Sequence, residues 1–191
     1  MSGWQNSYSG TKFYPLDFKP EMVKIKDMAH GLAGRMRYGC QTWLSVAQHS
    51  IVVLGIVERM IKLKPMECRF VFFHDGSEYV LSDMPAPIKE DPRMAWFREV
   101  EDHVQGCIYT AMDVDPNVVS DDVKNALKIA DRMVRGTEKR FFGSIHPDWR
   151  DPVETPEQMK PMLLQGYLHE WAPKDAKRKF LDVASRLGVK V

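Results

Sequence analysis

Apolar residues recur at helical spacing along most of the chain, and this periodicity restricts the fold more than any other feature. Val46, Val53, Val57 and Met60 are separated by seven, four and three residues, so they share one face of a helix. Helices are predicted at 24–36, 45–60, 65–81, 94–112, 120–140, 155–171 and 174–187. No segment shows the alternation of a half-buried strand, so the sequence predicts an all-α fold.

Particular residues mark where these helices begin and end. Ser45 followed by Gln48 fits a capping box, in which each side chain satisfies a free backbone N–H at the helix start. Pro65 suits the first position of the third helix. That helix is predicted to continue without a break to about Leu81, because the proline-rich loop from Pro85 stops it only there.

The bulk composition indicates one soluble globular domain. The 191 residues are enough for a single core, with the Gly-, Pro- and Ser-rich residues 1–20 as an N-terminal arm. A formal net charge of +1 lacks the excess of positive charge that is typical of proteins that bind long nucleic acid. Three widely separated cysteines argue against a disulfide framework, and no apolar run suits a signal peptide or a membrane span. We therefore expect a cytoplasmic protein that does not bind membranes.

Three of the predicted helices carry an ionisable residue where the periodicity calls for an apolar one. These residues are His49 in the second helix, His74 in the third and Asp131 in the fifth. Taken singly, a buried histidine is more often a hydrogen-bonded core residue than a ligand. Asp131 alone could form a salt bridge with Arg35, Arg37 or Lys89. Taken together, imidazoles and carboxylates on facing helices match the ligand set of Zn, Mn, Co or Fe.

Two further carboxylates follow the adjacent pair His74-Asp75. Neighbours on a helix point about 100° apart, so both members of the pair reach one ion only if it lies between facing helices. Glu78 is four residues after His74, where it can serve as an acid or base beside the ligands; alone, it would be read as a solvated helix-end carboxylate. Asp83 follows in a loop that nearby prolines stiffen.

Four segments resemble the H…HD…D signature of the HD-domain phosphohydrolases: residues 45–50, 73–78, 83–89 and 129–131. More narrowly, they resemble the branch of bacterial 5′-deoxynucleotidases and phage-encoded deoxynucleotide hydrolases, which includes dATP triphosphohydrolases. Residues 8–10, 27–30, 37–39 and 137–138 are also similar to the phage group. The resemblance extends from about Tyr8 to Leu187 and implies an HD-type helical bundle with a divalent metal site between helices.

The resemblance also implies a role for each matching residue. The metal ligands would be His49, His74, Asp75 and Asp131. The metal would be one divalent ion, Co²⁺, Mn²⁺ or Zn²⁺, with Mg²⁺ as an alternative and a second ion conceivable alongside a triphosphate. The catalytic pair would be Glu78 and Asp83.

The resemblance places the substrate-binding residues outside the metal site. Arg37 would face the phosphate and Tyr38 would pack on the sugar, where it would favour deoxyribose. Lys89 would add positive charge near the phosphoryl oxygens. For His30, contact with the substrate and packing beside the first helix are both open. Glu138 would orient a ligand, bind Arg37 or pair with Arg135.

The implied activity is hydrolysis of the 5′ phosphate ester of a deoxynucleotide. The first expectation is a dNTP triphosphohydrolase that converts dATP to deoxyadenosine and triphosphate or phosphate. The alternatives are a 5′-deoxynucleotidase acting on dNMPs and a catalytically silent nucleotide-binding module. Cations available for a triphosphate are Lys24, Lys26, Lys89 and Arg93. By analogy with the family we expect a homo-oligomer, in the host cytoplasm if the chain is phage-encoded.

Overall fold

In the computed structural model, which describes residues 3–148 and 169–191, helices account for nearly all regular structure. The prediction of an all-α fold is confirmed, with one small exception in the N-terminal arm. There, strands β1 (Gln5–Asn6) and β2 (Lys12–Phe13) pair as a short antiparallel hairpin. None of the helices in the described residues is long and apolar enough to cross a membrane.

The helices have the following bounds in chain order: α1 Ile25–Gly34, α2 Arg37–Cys40, α3 Val46–Met60, α4 Pro65–Phe72, α5 Glu78–Leu81, α6 Ala86–Lys89, α7 Ala95–Ala111, α8 Asp121–Glu138 and α9 Pro173–Arg186. The predicted helix at 155–171 lies almost entirely outside the described residues. Apart from the helix predicted at 65–81, the other long helices lie within a few residues of their predicted bounds.

Helix α3 lies at the centre of the bundle, because α1, α4, α8 and α9 all pack against it. A helix surrounded in this way is apolar on most of its circumference, and α3 is buried from Val46 to Leu54 without interruption. The Ser45 hydroxyl accepts the Gln48 N–H at 3.2 Å, which confirms the Ser45 half of the predicted capping box but not its Gln48 half. The Gln48 side chain reaches the C-terminal segment, where it bonds the His169 carbonyl and the Trp171 N–H.

The third predicted helix is wrong in its middle, because the chain leaves the helix between α4 and α5. A tight turn replaces it, closed by bonds from Gly76 N–H to the Phe73 carbonyl and from Glu78 N–H to the Asp75 carbonyl. A Cβ at Gly76 would lie 3.0 Å from the Phe73 oxygen, so this close approach favours glycine. Bonds three residues apart preserve the apolar spacing, which explains why the sequence pattern looks continuous.

The N-terminal arm lies against α1 through two contacts. Ser9 donates its backbone N–H and its hydroxyl to the Asp27 carboxylate at 2.7 and 2.9 Å. The Tyr8 ring stacks on His30 at 4.0 Å between centroids. The arm is therefore fixed to the bundle by a buried carboxylate and a ring stack.

Candidate metal centre

Four predicted ligands meet where α3, α8 and the turn after α4 approach one another. Donor atoms of His49, His74 and Asp131 all lie within 4.8 Å of one another, so this group could hold a metal ion. His49 Nε2 is 3.2 Å from Asp131 Oδ1. Asp75 Oδ2 lies 3.5 Å from His49 Nε2 and 3.4 Å from His74 Nε2, so the fourth carboxylate faces both imidazoles.

Both imidazoles are fixed through Nδ1 and turn Nε2 toward the cluster. His74 Nδ1 is 2.8 Å from the Val71 carbonyl, and His49 Nδ1 is 2.9 Å from Glu138 Oε1. Both Nε2 atoms are buried and have no hydrogen-bond partner among the described residues. Buried polar atoms are seldom left in this state, and metal-binding histidines commonly donate their other ring nitrogen to a carbonyl or carboxylate. The donor set therefore fits a divalent metal.

Glu138 joins His49 to the cleft that lies beside the cluster. Its Oε2 accepts the Arg37 Nε–H at 3.1 Å and the Tyr38 hydroxyl at 2.8 Å, while Oε1 faces His49. Burial acts to raise the pKa of Glu138, but the charges of Arg37 and then His49 outweigh it and lower the pKa to about 2. Glu138 therefore both orients the His49 imidazole and binds Arg37. The alternative pairing with Arg135 is wrong.

Nearby charged groups, including Arg37 and Glu138, also determine the protonation of the His49 imidazole in the metal-free protein. Burial and the Arg37 charge lower the pKa of His49, but Glu138 and Asp131 together raise it to about 9. An ion that binds at Nε2 must therefore displace a proton near neutral pH. Because of this competition, we expect metal affinity to fall as the solution becomes more acidic.

A cleft of ≈ 660 Å³ opens above the cluster. Its described lining is Arg37, Tyr38, Gln41, Asp75, Glu78, Asp83, Met84, Pro85, Ala86, Pro87, Lys89, Asp131, Arg135 and Phe142. This lining includes most of the residues predicted for the site. His30 is not among them, because it lies exposed on α1 against Tyr8. A more open groove of ≈ 720 Å³ lies along α7 and contains no predicted site residue.

The two predicted catalytic carboxyl groups occupy different surroundings in the cleft. Glu78 is buried, and its Oε2 has no hydrogen-bond partner among the described residues. Burial raises the pKa of Glu78 well above its ordinary value, and the nearby charges of Asp75 and Asp83 raise it further. Asp83 accepts the backbone N–H of Tyr38 at 3.2 Å. Glu78 is thus placed to hold a proton, whereas Asp83 fixes the cleft wall.

The two predicted cationic contacts are engaged by carboxylates of the protein. Arg37 is buried, and its Nη1 lies 3.5 Å from Asp75 Oδ2 in addition to the bond with Glu138. Lys89 Nζ is 2.6 Å from Glu101 Oε2 on α7. Both residues line the cleft, but each of these cations is already paired with a carboxylate of the chain.

The wall that carries Tyr38 has an unusual backbone. Tyr38, Gly39 and Cys40 all have positive φ, at 59°, 62° and 66°. Such left-handed conformations are costly for residues with a Cβ, and the sequence signals them only through Gly39. The Tyr38 ring packs edge-on against Phe142, with 5.1 Å between centroids. The turn therefore holds the ring in the cleft with its hydroxyl on Glu138.

The remaining cations that the sequence offered for a triphosphate lie away from this cleft. Lys24 and Lys26 line a separate groove beside α1 and the C-terminal residues. Arg93 is exposed and pairs with Asp91 at 2.8 Å. The cleft is instead lined by Arg135, a residue that the sequence did not indicate for the site. Arg135 lies one helical turn after Asp131, and only this spacing could have indicated it.

Comparison with known proteins identifies relatives of this chain. It is 33% identical over 133 residues to an uncharacterized protein of Rhodobacter capsulatus, and the match covers 67% of each chain. The chain belongs to the family of that protein. It is also 28% identical over 140 residues to the uncharacterized protein YfdR of Escherichia coli, covering 72% of this chain and 71% of YfdR. No protein-family model matches the chain. Since both relatives are uncharacterized, the function must be inferred from the centre and its cleft.

Proposed function

We propose that this protein is a metal-dependent phosphohydrolase of the HD-domain type that cleaves the 5′ phosphate ester of a deoxynucleotide. One observation carries the proposal. Two imidazoles are fixed through Nδ1 and turn buried Nε2 atoms, which have no hydrogen-bond partner among the described residues, toward two carboxylates at the base of a cleft. The cleft volume of ≈ 660 Å³ lies within the range of small-molecule sites, which is roughly 300–1,000 Å³.

A divalent ion held by His49, His74, Asp75 and Asp131 would act as a Lewis acid on the phosphoryl group. The side chains around the ligands supply the remaining requirements. The buried carboxyl of Glu78 can exchange a proton with a group in the cleft through its unpaired Oε2. The favoured ions are Mn²⁺, Co²⁺ and Zn²⁺, with Mg²⁺ as a weaker fit to two imidazoles.

The network behind the ligands keeps the site in one arrangement. Glu138 holds the His49 ring through Nδ1 and anchors Arg37, and Arg37 in turn lies against the Asp75 carboxylate. Two of the four proposed ligands, His49 and Asp75, therefore have a charged support behind them. Such support is what a catalytic site requires to hold its geometry through a reaction.

For the substrate we favour a dNTP, with dATP first, because the sequence resembles phage-encoded deoxynucleotide hydrolases. Hydrolysis of dNMPs is the alternative. Retention of all four ligands together with Glu78 favours an active enzyme over a silent nucleotide-binding module. By the same resemblance, we propose a homo-oligomer in the cytoplasm of a cell or of a phage-infected host.

The test begins with protein stripped by EDTA and reloaded with Mn²⁺, Co²⁺, Zn²⁺ or Mg²⁺. Each dNTP, dNMP and matching ribonucleotide is added, and the products are identified as triphosphate, pyrophosphate or phosphate by anion-exchange chromatography. Asp131→Asn is expected to reduce turnover by more than about 100-fold, because it removes a proposed ligand. Asp122→Asn, an exposed aspartate at the start of the same helix, should match wild type.

Each outcome of this assay separates the candidate functions. Triphosphate released from dNTPs supports the first substrate class, and phosphate released only from dNMPs supports the alternative. Nucleotide binding without turnover under any metal would identify a silent module. Absence of both binding and turnover would contradict the proposal.

A further inference from the structure

Two of the three cations among the described cleft residues form short ion pairs with protein carboxylates, at 3.1 and 2.6 Å. Arg37 bonds Glu138 at 3.1 Å and lies 3.5 Å from Asp75, and its side chain is only 8% exposed. Lys89 contacts Glu101 at 2.6 Å. An anion that enters the cleft would have to compete with these acids for either cation.

The third cation, Arg135, is differently placed. Its Nε is buried and has no hydrogen-bond partner among the described residues, while 37% of its side chain is exposed. The nearest acid is Asp131, whose Oδ2 lies 3.5 Å from that nitrogen. An arginine whose buried nitrogen has only this long contact, and whose remaining side chain is exposed, is available to a ligand that supplies an acceptor.

Helix α8 fixes the position from which the Arg135 side chain starts. The residue is one turn after Asp131, so both side chains rise from the same face toward the cleft. The Tyr38 hydroxyl lies 3.5 Å from the Arg135 carbonyl, and this contact links the turn of α8 to the opposite wall. The guanidinium therefore stands at the rim of the cluster, beside a proposed metal ligand.

We propose that Arg135 binds the phosphate group of the substrate and exchanges its contact with Asp131 for that phosphate. This inference rests on the proposed function only for the identity of the anion. A helical pair four residues apart is a weak interaction. A phosphate offers several oxygens to the planar guanidinium fork and forms paired charge-assisted bonds. The exchange frees the Asp131 carboxylate and satisfies the unpaired Nε.

The experiment compares three variants with wild type. Arg135→Gln removes the charge, and Arg135→Lys keeps the charge but loses the fork. Arg132→Gln is the matched control, because Arg132 is exposed on the same helix and does not line the described cleft. Thermal unfolding first establishes that all four proteins fold alike. Calorimetry then measures binding of Mn²⁺ to the metal-free protein and of inorganic phosphate to the Mn²⁺-loaded protein.

We expect Arg135→Gln to weaken phosphate binding by roughly 10- to 100-fold, the range for a charged hydrogen bond. Arg135→Lys should lie between this variant and wild type, and Arg132→Gln should match wild type. Mn²⁺ affinity should be unchanged or higher in Arg135→Gln, because Asp131 loses a competing cation. With a nucleotide substrate, KM should rise more than kcat falls.

Three results would overturn the inference. The first is no phosphate binding by the wild type, and the second is equal phosphate affinity in wild type and Arg135→Gln. The third is a loss of Mn²⁺ affinity in Arg135→Gln as large as the loss of phosphate affinity, which would mean that Arg135 only positions Asp131. Wild-type protein that binds phosphate through Arg135 but hydrolyses no nucleotide would contradict the proposed function alone. Nucleotide hydrolysis with an unchanged KM in Arg135→Gln would contradict this inference alone.

Discussion

Substitution of Glu138 by glutamine removes one negative charge from the network behind the proposed metal ligands with almost no change in volume. The carboxylate is 3% exposed and accepts bonds from Arg37 and Tyr38 on one oxygen while facing His49 on the other. Glutamine can preserve part of this hydrogen bonding but none of the charge. The variant therefore tests whether the charge of Glu138 stabilises the fold and the ligand His49.

The magnitude follows from the depressed pKa of the carboxyl group. Arg37 and His49 prevail over burial and lower the pKa of Glu138 from its ordinary 4.5 to about 2. At about 1.4 kcal/mol for each pKa unit, the native environment favours the charged form by about 3 kcal/mol. Since glutamine keeps some hydrogen bonds, we expect Glu138→Gln to lower the free energy of unfolding by about 2–3 kcal/mol at pH 7.

The assay is urea unfolding of metal-free protein, followed by circular dichroism, between pH 7 and pH 3. A carboxyl group whose pKa is lower in the folded state stabilises fully above its unfolded pKa and loses this effect as the pH falls. The stability difference between wild type and Glu138→Gln should therefore be constant between about pH 4.5 and pH 6.5, because above pH 6.5 the unfolded chain loses the His49 proton that Glu138 stabilises in the folded state. It should narrow as the pH falls from 4.5 toward 2.

Glu58→Gln provides the control, because Glu58 forms a partly exposed ion pair with Arg186 at 3.4 Å. Such a pair contributes about 0–1 kcal/mol, so this variant should lose little stability. Calorimetry should also show Mn²⁺ affinity about 10- to 100-fold weaker in Glu138→Gln. A loss of stability no larger than in Glu58→Gln would refute the reasoning.

Three further predictions concern packing, capping and ligation. Gly31→Ala should destabilise the protein by about 1–3 kcal/mol in urea unfolding, because the new Cβ would lie 2.9 Å from Tyr79 Cβ. Gly34→Ala on the same helix meets no atom within 4 Å and should be neutral or slightly stabilising. Ser45→Ala should cost about 1 kcal/mol, because the cap of α3 is lost; no loss would mean that solvent replaces the cap. His74→Ala should weaken Mn²⁺ more than about 100-fold with a small change in melting temperature, and unchanged Mn²⁺ affinity would remove it from the ligand set.

Local patterns were sufficient to predict most of the long helices and the faces on which His49 and Asp131 lie. The Ser45 cap and the spacing of Val53 and Val57 depend on residues close in sequence, which makes the start and the buried face of α3 predictable. The break at 73–77 was not predictable in this way, because its three-residue bonds maintain the spacing of the helix it interrupts.

Contacts between distant residues decided the features that the sequence left open. Glu138 and Arg37 are 101 positions apart, so no spacing rule could choose among the partners considered for Glu138. Lys89 was expected to face the phosphate, yet its pairing with Glu101 depends on how α6 meets α7. The sequence did not indicate Arg135 as a site residue, because Arg135 lines the cleft only through the packing of the Tyr38 turn opposite α8.

The left-handed turn at Tyr38 also limits how this cleft can change during evolution. Valine, isoleucine and threonine are strongly disfavoured at φ near 59°. Substitution of Tyr38 by any of these residues is therefore disfavoured by the backbone, independently of what binds in the cleft. The neighbour of Tyr38 across the ring contact, Phe142, lies on extended backbone with φ of −82°, which any residue can adopt. Sequence divergence in this wall of the cleft is therefore expected to accumulate at position 142 before it reaches position 38.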